Sequence, residues 1–432
     1  MVFEKDSFLG LHWIYSRFPY IYFSQRLLSY LMNYIEAIDW LENIPISFDI
    51  DYNNYEFKLD NIIKFLNHLG SPQNNQKFIH VAGTNGKGST CHIISSILQE
   101  HGHNVGLFSS PHLYDYRERI KINSNPIEKK FVLEFIINNR MYIKKNKISF
   151  FETSFAMSLC YFRLMKPDFI IVEVGLGGKL DATNVINPIL SIITNIGFDH
   201  KKFLGNSLSQ IAKEKAGIIK NGIDVIIGES NKKLNKVFEI KAAKCNSIIN
   251  YADQSKSSFI TDLNGDYQTK NINTAITALN KINDLSLDES IIFKGIANIT
   301  KNTNLIGRWQ IIADKPRVIF DVAHNLNSLE LVFRQLNSIR RKIRIVFGTL
   351  DKIDQLECIK IFPKNYKYYL CSPTNKRAMS LEKLCAKAKK SNINFSAHNS
   401  VKAAYECAIF DSDENDVILV TGSTYLFSEI KN

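Results

Sequence analysis

The sequence predicts an α/β protein with two domains: a mostly parallel three-layer domain that carries a phosphate-binding loop (P-loop), followed by a smaller Rossmann-like α/β domain. Three observations predict it. Strand-like apolar runs alternate with helical periodicities along most of the chain, which is typical of parallel sheets covered by helices. A glycine-rich loop lies between a strand and a helix at residues 83–89. A second α/β series begins after a polar segment near residue 300.

The length of the chain indicates more than one domain. A chain of 432 residues is longer than one compact core usually allows. We therefore assign residues 32–297 to the P-loop domain, 298–306 to a polar, turn-rich linker and 307–432 to the second domain. Residues 1–31 form an N-terminal extension to which we assign no role, and Met32 is an alternative start of the protein.

Charge and cysteine content narrow the class of protein. The formal charge is +12, but the 54 Lys and Arg residues are scattered in short runs, so we interpret them as solvated surface. We expect no nucleic-acid or membrane partner, because no nucleic-acid motif and no uncharged apolar span of about 18 residues accompanies the charge. The seven cysteines are widely spaced, which predicts reduced thiols and a cytoplasmic location. We also expect a monomer.

The P-loop is the most sharply defined stretch. Two predicted helices, one beginning at Met32 and one over residues 58–69, precede an apolar strand at residues 78–81. The strand breaks into a loop of seven residues, after which helical spacing begins: Gly83, Thr84, Asn85, Gly86, Lys87, Gly88 and Ser89. Loop and helix N–H groups bind phosphate, and Lys87 adds a charge for the β and γ phosphates. The spacing departs from the usual Gly-x-x-x-x-Gly-Lys-Ser/Thr pattern, so this is a variant P-loop.

The following strands end at polar side chains. Strands are predicted at residues 105–108, 169–174, 190–196 and 224–227, with helices at 127–144, 151–165, 207–215 and 267–283. No clear element is predicted between residues 230 and 265. Parallel strands deliver their carboxyl ends to one edge, so Ser110, Glu173, Asp199 and His200 should converge there. Such groups suit Mg²⁺ on a triphosphate, although each one alone is equally explained as a helix cap or structural residue.

The second domain repeats the pattern on a smaller scale. Strands are predicted at residues 318–321, 343–347, 366–370, 393–395 and 417–421, with a helix at 328–338. The first of these strands opens onto Asp321-Val-Ala-His324-Asn325. These strands complete a small doubly wound sheet.

Seven motifs in chain order resemble those of the folylpolyglutamate synthase and dihydrofolate synthase family, within the Mur ligase superfamily. They are His-Val-Ala-Gly-Thr-Asn-Gly-Lys-Gly-Ser (80–89), Ser-Ser-Pro-His (109–112), Glu-Val-Gly-Leu-Gly-Gly-Lys-Leu-Asp-Ala-Thr-Asn (173–184), Asp-His (199–200), Lys-Glu-Lys-Ala-Gly-Ile (213–218), Asp-Val-Ala-His-Asn (321–325) and Thr-Gly-Ser (421–423). The resemblance covers about residues 32–432. Leu326 replaces a proline usual in the family, and Ser109 and Thr424 also depart from its pattern.

The resemblance implies an ATP-dependent amide ligase that adds L-glutamate to dihydropteroate, tetrahydrofolate or both. ATP would phosphorylate a carboxylate, and glutamate would attack the acyl phosphate. The alternatives are a Mur-type cell-wall amino-acid ligase, a P-loop ATP-binding regulatory protein, and a basic nucleic-acid-binding ATPase. A regulatory protein would need no amino-acid site, so the residues Asp321, His324 and Asn325 argue against that alternative. The nucleic-acid-binding alternative predicts an ATPase activity that polynucleotide stimulates.

The resemblance also implies roles for individual residues. The implied catalytic residues are Lys87, Lys215 and His324. ATP would bind to Gly83, Thr84, Asn85, Gly86, Lys87, Gly88, Ser89, Asn271, Arg308 and Asp321, and the substrates to Phe151, Glu152, Asp181, His324 and Ser423. The metal ligands would be Ser110, Glu173, His200 and carbamylated Lys215; the cofactors would be Mg²⁺ and a monovalent cation. Without the resemblance, Lys215 would be interpreted as a solvated lysine near a helix end.

Overall fold

The structure is a computed structural model that describes residues 32–44, 58–252, 259–283, 285–352 and 357–431. The N-terminal extension at residues 1–31 lies outside the described residues. Within the described ranges, every helix is too short or too polar to cross a lipid bilayer.

The first sheet has eight strands: β1 Phe78–Ala82, β2 Val105–Phe108, β3 Ile120–Ile122, β4 Asn125–Pro126, β5 Phe169–Glu173, β6 Pro188–Ile193, β7 Val225–Ile227 and β8 Ile249–Tyr251. Their order is β4-β3-β2-β5-β1-β6-β7-β8. The six strands β2, β5, β1, β6, β7 and β8 are parallel to one another, and β3 and β4 extend the sheet at the β2 edge as antiparallel strands. β1 is buried along its whole length at the sheet centre, as its apolar residues predict, and His80 in the middle of the strand is buried with them.

The helices of the first domain are α1 Tyr34–Glu42, α2 Asp60–His68, α3 Lys87–Glu100, α4 Lys129–Lys145, α5 Phe150–Met165, α6 Lys201–Leu204, α7 Leu208–Lys215, α8 Lys232–Lys244, α9 Gln268–Leu279, α10 Glu289–Ala297 and α11 Ile299–Thr303. One apolar core joins α1, α2, α4 and α5 to one sheet face. A second core joins α3, α9 and α10 to the other. The predicted three-layer architecture is confirmed.

The second sheet has six strands: β9 Gln310–Asp314, β10 Arg317–Phe320, β11 Ile343–Phe347, β12 Lys367–Leu370, β13 Phe395–Ala397 and β14 Val417–Thr421. Their order is β13-β12-β11-β14-β10-β9, and only β9 is antiparallel. The helices are α12 Leu326–Asn337, α13 Leu381–Lys390, α14 Val401–Phe410 and α15 Tyr425–Lys431. Separate cores on the two faces make this the predicted Rossmann-like domain.

Two segments differ from the sequence-based expectation. Residues 230–265, which showed no clear pattern, contain α8 and β8. The inner face of α8 consists of Leu234, Phe238 and Ala242, a stripe narrow enough to be hidden among its lysines. The segment expected to be turn-rich contains α11, whose Ile299 and Thr303 are buried. The exact domain boundary remains a prediction.

Candidate active site

The P-loop joins β1 to α3 through backbone that only glycine adopts easily. Gly86 precedes the helix with φ of +79°, in the left-handed region. A Cβ added to Gly86 would lie 2.2 Å from Oδ1 of Asn271, so α9 packs directly against the loop. The predicted ATP contact Asn271 therefore lies beside the predicted phosphate cradle.

Residues that directly follow β6 form hydrogen bonds with the backbone of the loop. Thr84 N donates to the carbonyl of Asn195 (3.0 Å), and Asn85 N donates to Asn195 Oδ1 (3.0 Å). The hydroxyl of Thr194 donates to the carbonyl of Asn85 (2.6 Å). Lys87 bends back over the loop, and its ammonium donates to the carbonyls of Gly83 and Thr84 at 3.2 Å each. The loop is thus held in shape by the protein itself.

Glu173, the last residue of β5, lies across from the loop. Its carboxylate is buried and accepts a hydrogen bond from the backbone N–H of Ser110 at 3.0 Å. A Cβ on Gly88 would lie 3.5 Å from both Glu173 Oε2 and the Arg308 guanidinium. Burial raises the pKa of Glu173, while Lys87 opposes that shift. The strand-end groups converge as the parallel sheet predicts, and Arg308 reaches them from the second domain.

Lys215 is buried at the end of α7, not solvated. Its side chain is 4% exposed, and the amine donates to the carbonyl of Gly83 at 2.7 Å. Burial, with a further contribution from Lys87, lowers the pKa of Lys215 to about 7. A substantial fraction is therefore neutral near pH 7, and the neutral amine is the form that reacts with CO₂.

Asp199 of the first domain contacts two residues of the second domain. Its Oδ2 lies 3.5 Å from Nε2 of His324 and accepts a hydrogen bond from the Asn325 amide at 3.1 Å. His324 Nδ1 lies 2.9 Å from the carbonyl of Val322, which fixes the tautomer with the proton on Nδ1. Beside Asp199, burial lowers the pKa of His200 to about 3, so this imidazole is neutral.

Asp321 has both carboxylate oxygens engaged. Oδ1 accepts from Ala323 N at 2.9 Å. Oδ2 accepts from Trp309 N at 2.9 Å and from the Tyr267 hydroxyl at 2.5 Å. The Tyr267 bond crosses between the domains. Asp321 therefore supports the domain interface, whatever else it contacts.

One cleft of about 320 Å³ lies between the domains. Most residues predicted from the sequence line it: Gly83, Thr84, Asn85, Gly86, Lys87, Gly88, Ser89, Ser110, Glu173, His200, Lys215, Asn271, Arg308, Asp321, His324 and Ser423. Groups from both domains thus surround a single space large enough for a nucleotide's phosphate chain.

Three predicted substrate residues do not line that cleft. The Phe151 ring packs against Gly175, so closely that a Cβ on this glycine would lie 2.5 Å from the ring. Glu152 accepts hydrogen bonds from the N–H (2.8 Å) and hydroxyl (2.7 Å) of Ser149 and caps α5. Asp181 accepts from Leu176 N (2.8 Å) and Thr183 N (3.0 Å) and holds the turn after β5. Their substrate contacts remain predictions.

The side chains suit a divalent cation that is shared with a nucleotide. The described residues contain no cluster of three or more His, Cys, Asp or Glu side chains that could hold a metal by themselves. Mg²⁺ characteristically uses one or two carboxylates and completes its shell with phosphate oxygens and water. Glu173 beside the loop and the neutral imidazole of His200 fit such an open site.

Sequence reasoning missed the residues that hold the site together. Thr194 and Asn195 follow β6 directly, and their polarity at a strand end was a usable signal. The partnership of Tyr267 with Asp321 spans 54 positions and had no such signal.

Two family profiles match the chain. The Mur ligase middle domain matches residues 81–306, and the glutamate ligase domain of Mur ligases matches residues 307–424. A dihydrofolate synthase/folylpolyglutamate synthase from Buchnera aphidicola subsp. Schizaphis graminum is 34% identical over 82% of this chain and 87% of its own. A probable bifunctional folylpolyglutamate synthase/dihydropteroate synthase from Haloferax volcanii is 27% identical over 93% of this chain, which spans 50% of that relative.

Solved structures show the same fold. Escherichia coli FolC in complex with DHPP and ADP superposes with a TM-score of 0.78 and 26% identity, covering 93% of this chain and 97% of that one. A bifunctional folylpolyglutamate synthase/dihydrofolate synthase with Mn, AMPPNP and L-glutamate bound gives a TM-score of 0.78 and 26% identity, covering 92% and 97%.

Proposed function

The chain belongs to the folylpolyglutamate synthase/dihydrofolate synthase family of the Mur ligase superfamily, and from this premise we propose that it joins L-glutamate to dihydropteroate, to a reduced folate, or to both. It is an ATP-dependent ligase of folate metabolism. The observation that carries the proposal is the cleft that the P-loop and the second domain's Asp321-to-His324 segment line together. We place the enzyme in the cytoplasm as a monomer.

The reaction needs two steps because a free carboxylate has no adequate leaving group. A carboxylate oxygen of the pterin substrate attacks the γ-phosphorus of ATP, and ADP leaves. The amine of glutamate then attacks the acyl carbon, the C–O bond to phosphate breaks, and orthophosphate leaves with the bonding electrons. The amine loses its proton, and an amide remains. Such chemistry depends mainly on positioning and charge neutralisation.

The loop and Lys87 hold the β and γ phosphates in this scheme. Arg308 faces Gly88 from the second domain and adds a second cation at the phosphate being transferred. Asn271, packed on Gly86, borders the same phosphates. Asp321 holds the second domain beside the nucleotide through Tyr267.

Mg²⁺ would bind at Ser110, Glu173, His200 and carbamylated Lys215, and it would neutralise charge on the γ-phosphate. The buried amine of Lys215, with its pKa near 7, supports the carbamate proposal because only the unprotonated form captures CO₂. A monovalent cation is a further part of the proposal, without assigned ligands. The solved structure of a bifunctional folylpolyglutamate synthase/dihydrofolate synthase with Mn and AMPPNP bound supports a divalent metal beside the nucleotide.

His324 is suited to accept the proton of the attacking amine. Its Nδ1 proton faces the Val322 carbonyl, which leaves Nε2 as the basic nitrogen, and Asp199 at 3.5 Å would stabilise the imidazolium that forms. Ser423, buried on the same side of the cleft, would contact glutamate or the intermediate.

One assay tests the proposal. Purified protein receives ATP, Mg²⁺, L-glutamate and either dihydropteroate or tetrahydrofolate, and mass spectrometry scores the product. We expect a mass gain of one glutamyl residue with stoichiometric ADP for at least one acceptor. Ligation of glutamate only to a cell-wall nucleotide precursor would favour the Mur-type alternative. ATP binding without ligation of any acceptor would favour the regulatory one.

A further inference from the structure

A second, smaller pocket lies directly behind the phosphate loop. Its volume is about 50 Å³, several times what one water molecule needs. It shares Gly88, Glu173 and Arg308 with the main cleft, so the two spaces meet where the γ-phosphate would lie. Its outer wall comes from residues 304–306 and from Thr424 of the second domain.

A buried ammonium lines this pocket. Lys121 on β3 is 5% exposed, and among the described residues its Nζ has one hydrogen-bond acceptor, the carbonyl of Thr303 at 3.0 Å. An ammonium carries three donors, and burying a charge without partners is costly. Lys121 therefore has donors to spare for a ligand of the pocket.

Two other groups in the pocket can offer hydrogen bonds to an anion. The Arg308 guanidinium enters it beside Gly88. His92 is 4% exposed, and within the described part of the chain its Nδ1 is buried without a hydrogen-bond partner. Two carboxylates also line the pocket, and both are engaged by backbone N–H groups. Glu118 accepts hydrogen bonds from Leu113 N (2.7 Å) and Tyr114 N (2.9 Å), and Glu173, at the mouth shared with the main cleft, accepts from Ser110 N (3.0 Å).

We propose that this pocket is an orthophosphate subsite, in which Lys121, Arg308 and His92 hold the phosphate that the ligation releases. The inference rests on the proposed function, because the amide-forming step frees orthophosphate between Gly88 and Glu173, at the mouth shared by the two spaces. ADP still fills the main cleft at that moment. The adjoining pocket lets phosphate leave the reacting centre before ADP does.

The test measures orthophosphate binding to the ADP-bound full chain by calorimetry, and phosphate product inhibition in the ligation assay. Lys121→Met should raise the Kd for orthophosphate and the inhibition constant of phosphate by about tenfold each, because one charge-assisted hydrogen bond is lost. Lys121→Arg, which keeps the charge, should stay within about twofold of the parent chain. Lys301→Met removes an exposed lysine from nearby α11 and should change neither constant. Potassium chloride at matched ionic strength controls for screening.

The outcomes separate this inference from the proposed function. Equal phosphate affinity in Lys121→Met and the parent chain, or no phosphate binding to either, would overturn the subsite while leaving ligation intact. Phosphate binding that depends on Lys121 in a chain that ligates nothing would support the pocket chemistry and refute the ligase assignment. Unfolding temperature checks that Lys121→Met is folded. If it is not, Lys121→Gln, which keeps a polar side chain of similar reach but removes the charge, takes its place in both measurements.

Discussion

Asn85 of the P-loop and Asn325 of the second domain exchange a pair of amide hydrogen bonds across the cleft. The Asn325 amide donates to Asn85 Oδ1 at 2.8 Å, and the Asn85 amide donates back to Asn325 Oδ1 at 3.2 Å. Because Thr194 and Asn195 clamp the backbone of Asn85, the position of the second domain is linked to the shape of the phosphate loop. The pair should therefore couple nucleotide and glutamate binding.

Asn325→Ser tests that coupling without loss of the helix cap. Asn325 Oδ1 accepts from Ser328 N at 3.0 Å and caps α12, a role that serine performs about equally well. We expect KM for glutamate to rise about fivefold to tenfold, with little change in the affinity for ATP measured without glutamate, because Asn325 loses its three hydrogen bonds with Asn85 and Asp199. A double-mutant cycle with Asn85→Ala should give a coupling energy of about 1 kcal/mol. Strict additivity would contradict the coupling.

Lys87→Met should lower kcat by at least about 10²-fold to 10³-fold, because the phosphates lose the full charge placed beside the loop. The fold should persist, since among the described residues the Lys87 ammonium donates hydrogen bonds only to carbonyls of its own loop. Steady-state kinetics and thermal unfolding measure the two effects. Near-normal turnover in folded Lys87→Met would refute the assigned role.

Glu173→Gln separates metal binding from nucleotide binding. The amide is nearly the same shape and can still accept from Ser110 N, but it lacks the charge that attracts a divalent cation. We expect the Mg²⁺ concentration for half-maximal activity to rise at least about tenfold, with a large loss of kcat. Titrating Mg²⁺ at fixed ATP measures the change. An unaltered Mg²⁺ dependence would remove Glu173 from the metal site.

Lys215 predicts a dependence of activity on CO₂ and pH. Its lowered pKa of about 7 means that the neutral amine increases as pH rises through 7, so at a fixed concentration of dissolved CO₂ the reactivation of CO₂-depleted enzyme should accelerate from pH 6 to pH 8. Lys215→Ala should be inactive and partly restored by a small carboxylate such as acetate. Lys213→Ala, which changes an exposed lysine of the same helix, is the matched control. Full activity of Lys215→Ala without carboxylate would exclude the carbamate.

The sequence predicted the layer order and the edge at which the site forms, because strand-end polarity and parallel topology follow local rules. Ser110, Glu173 and His200 were located that way. Burial of Lys215 was not predictable from its charged neighbours, since it depends on how α7 packs under the loop. The Asn85 and Asn325 pair joins positions 240 residues apart, and Leu326 in place of the family proline leaves this contact in position. Long-range pairs of this kind leave no periodic signal in one sequence.

Substitution of Glu152 can distinguish a helix-capping role of this residue from the predicted substrate-binding role. Ser149 and Glu152 form a capping box at the start of α5, a pattern of Ser-x-x-Glu that is readable in the sequence. If capping is its role, Glu152→Ala should lower the free energy of unfolding by about 1 kcal/mol and leave KM for the pterin substrate within about twofold. Ser149→Ala should produce the same loss of stability.

Denaturant unfolding and acceptor titration together decide between the two roles of Glu152. A pterin contact predicts instead that Glu152→Ala raises KM for the acceptor by tenfold or more while Ser149→Ala does not. The carboxylate is buried, burial raises its pKa, and the N–H and hydroxyl of Ser149 already occupy its Oε2. We therefore expect the two variants to behave alike, and a KM effect confined to Glu152→Ala would restore the substrate-binding prediction.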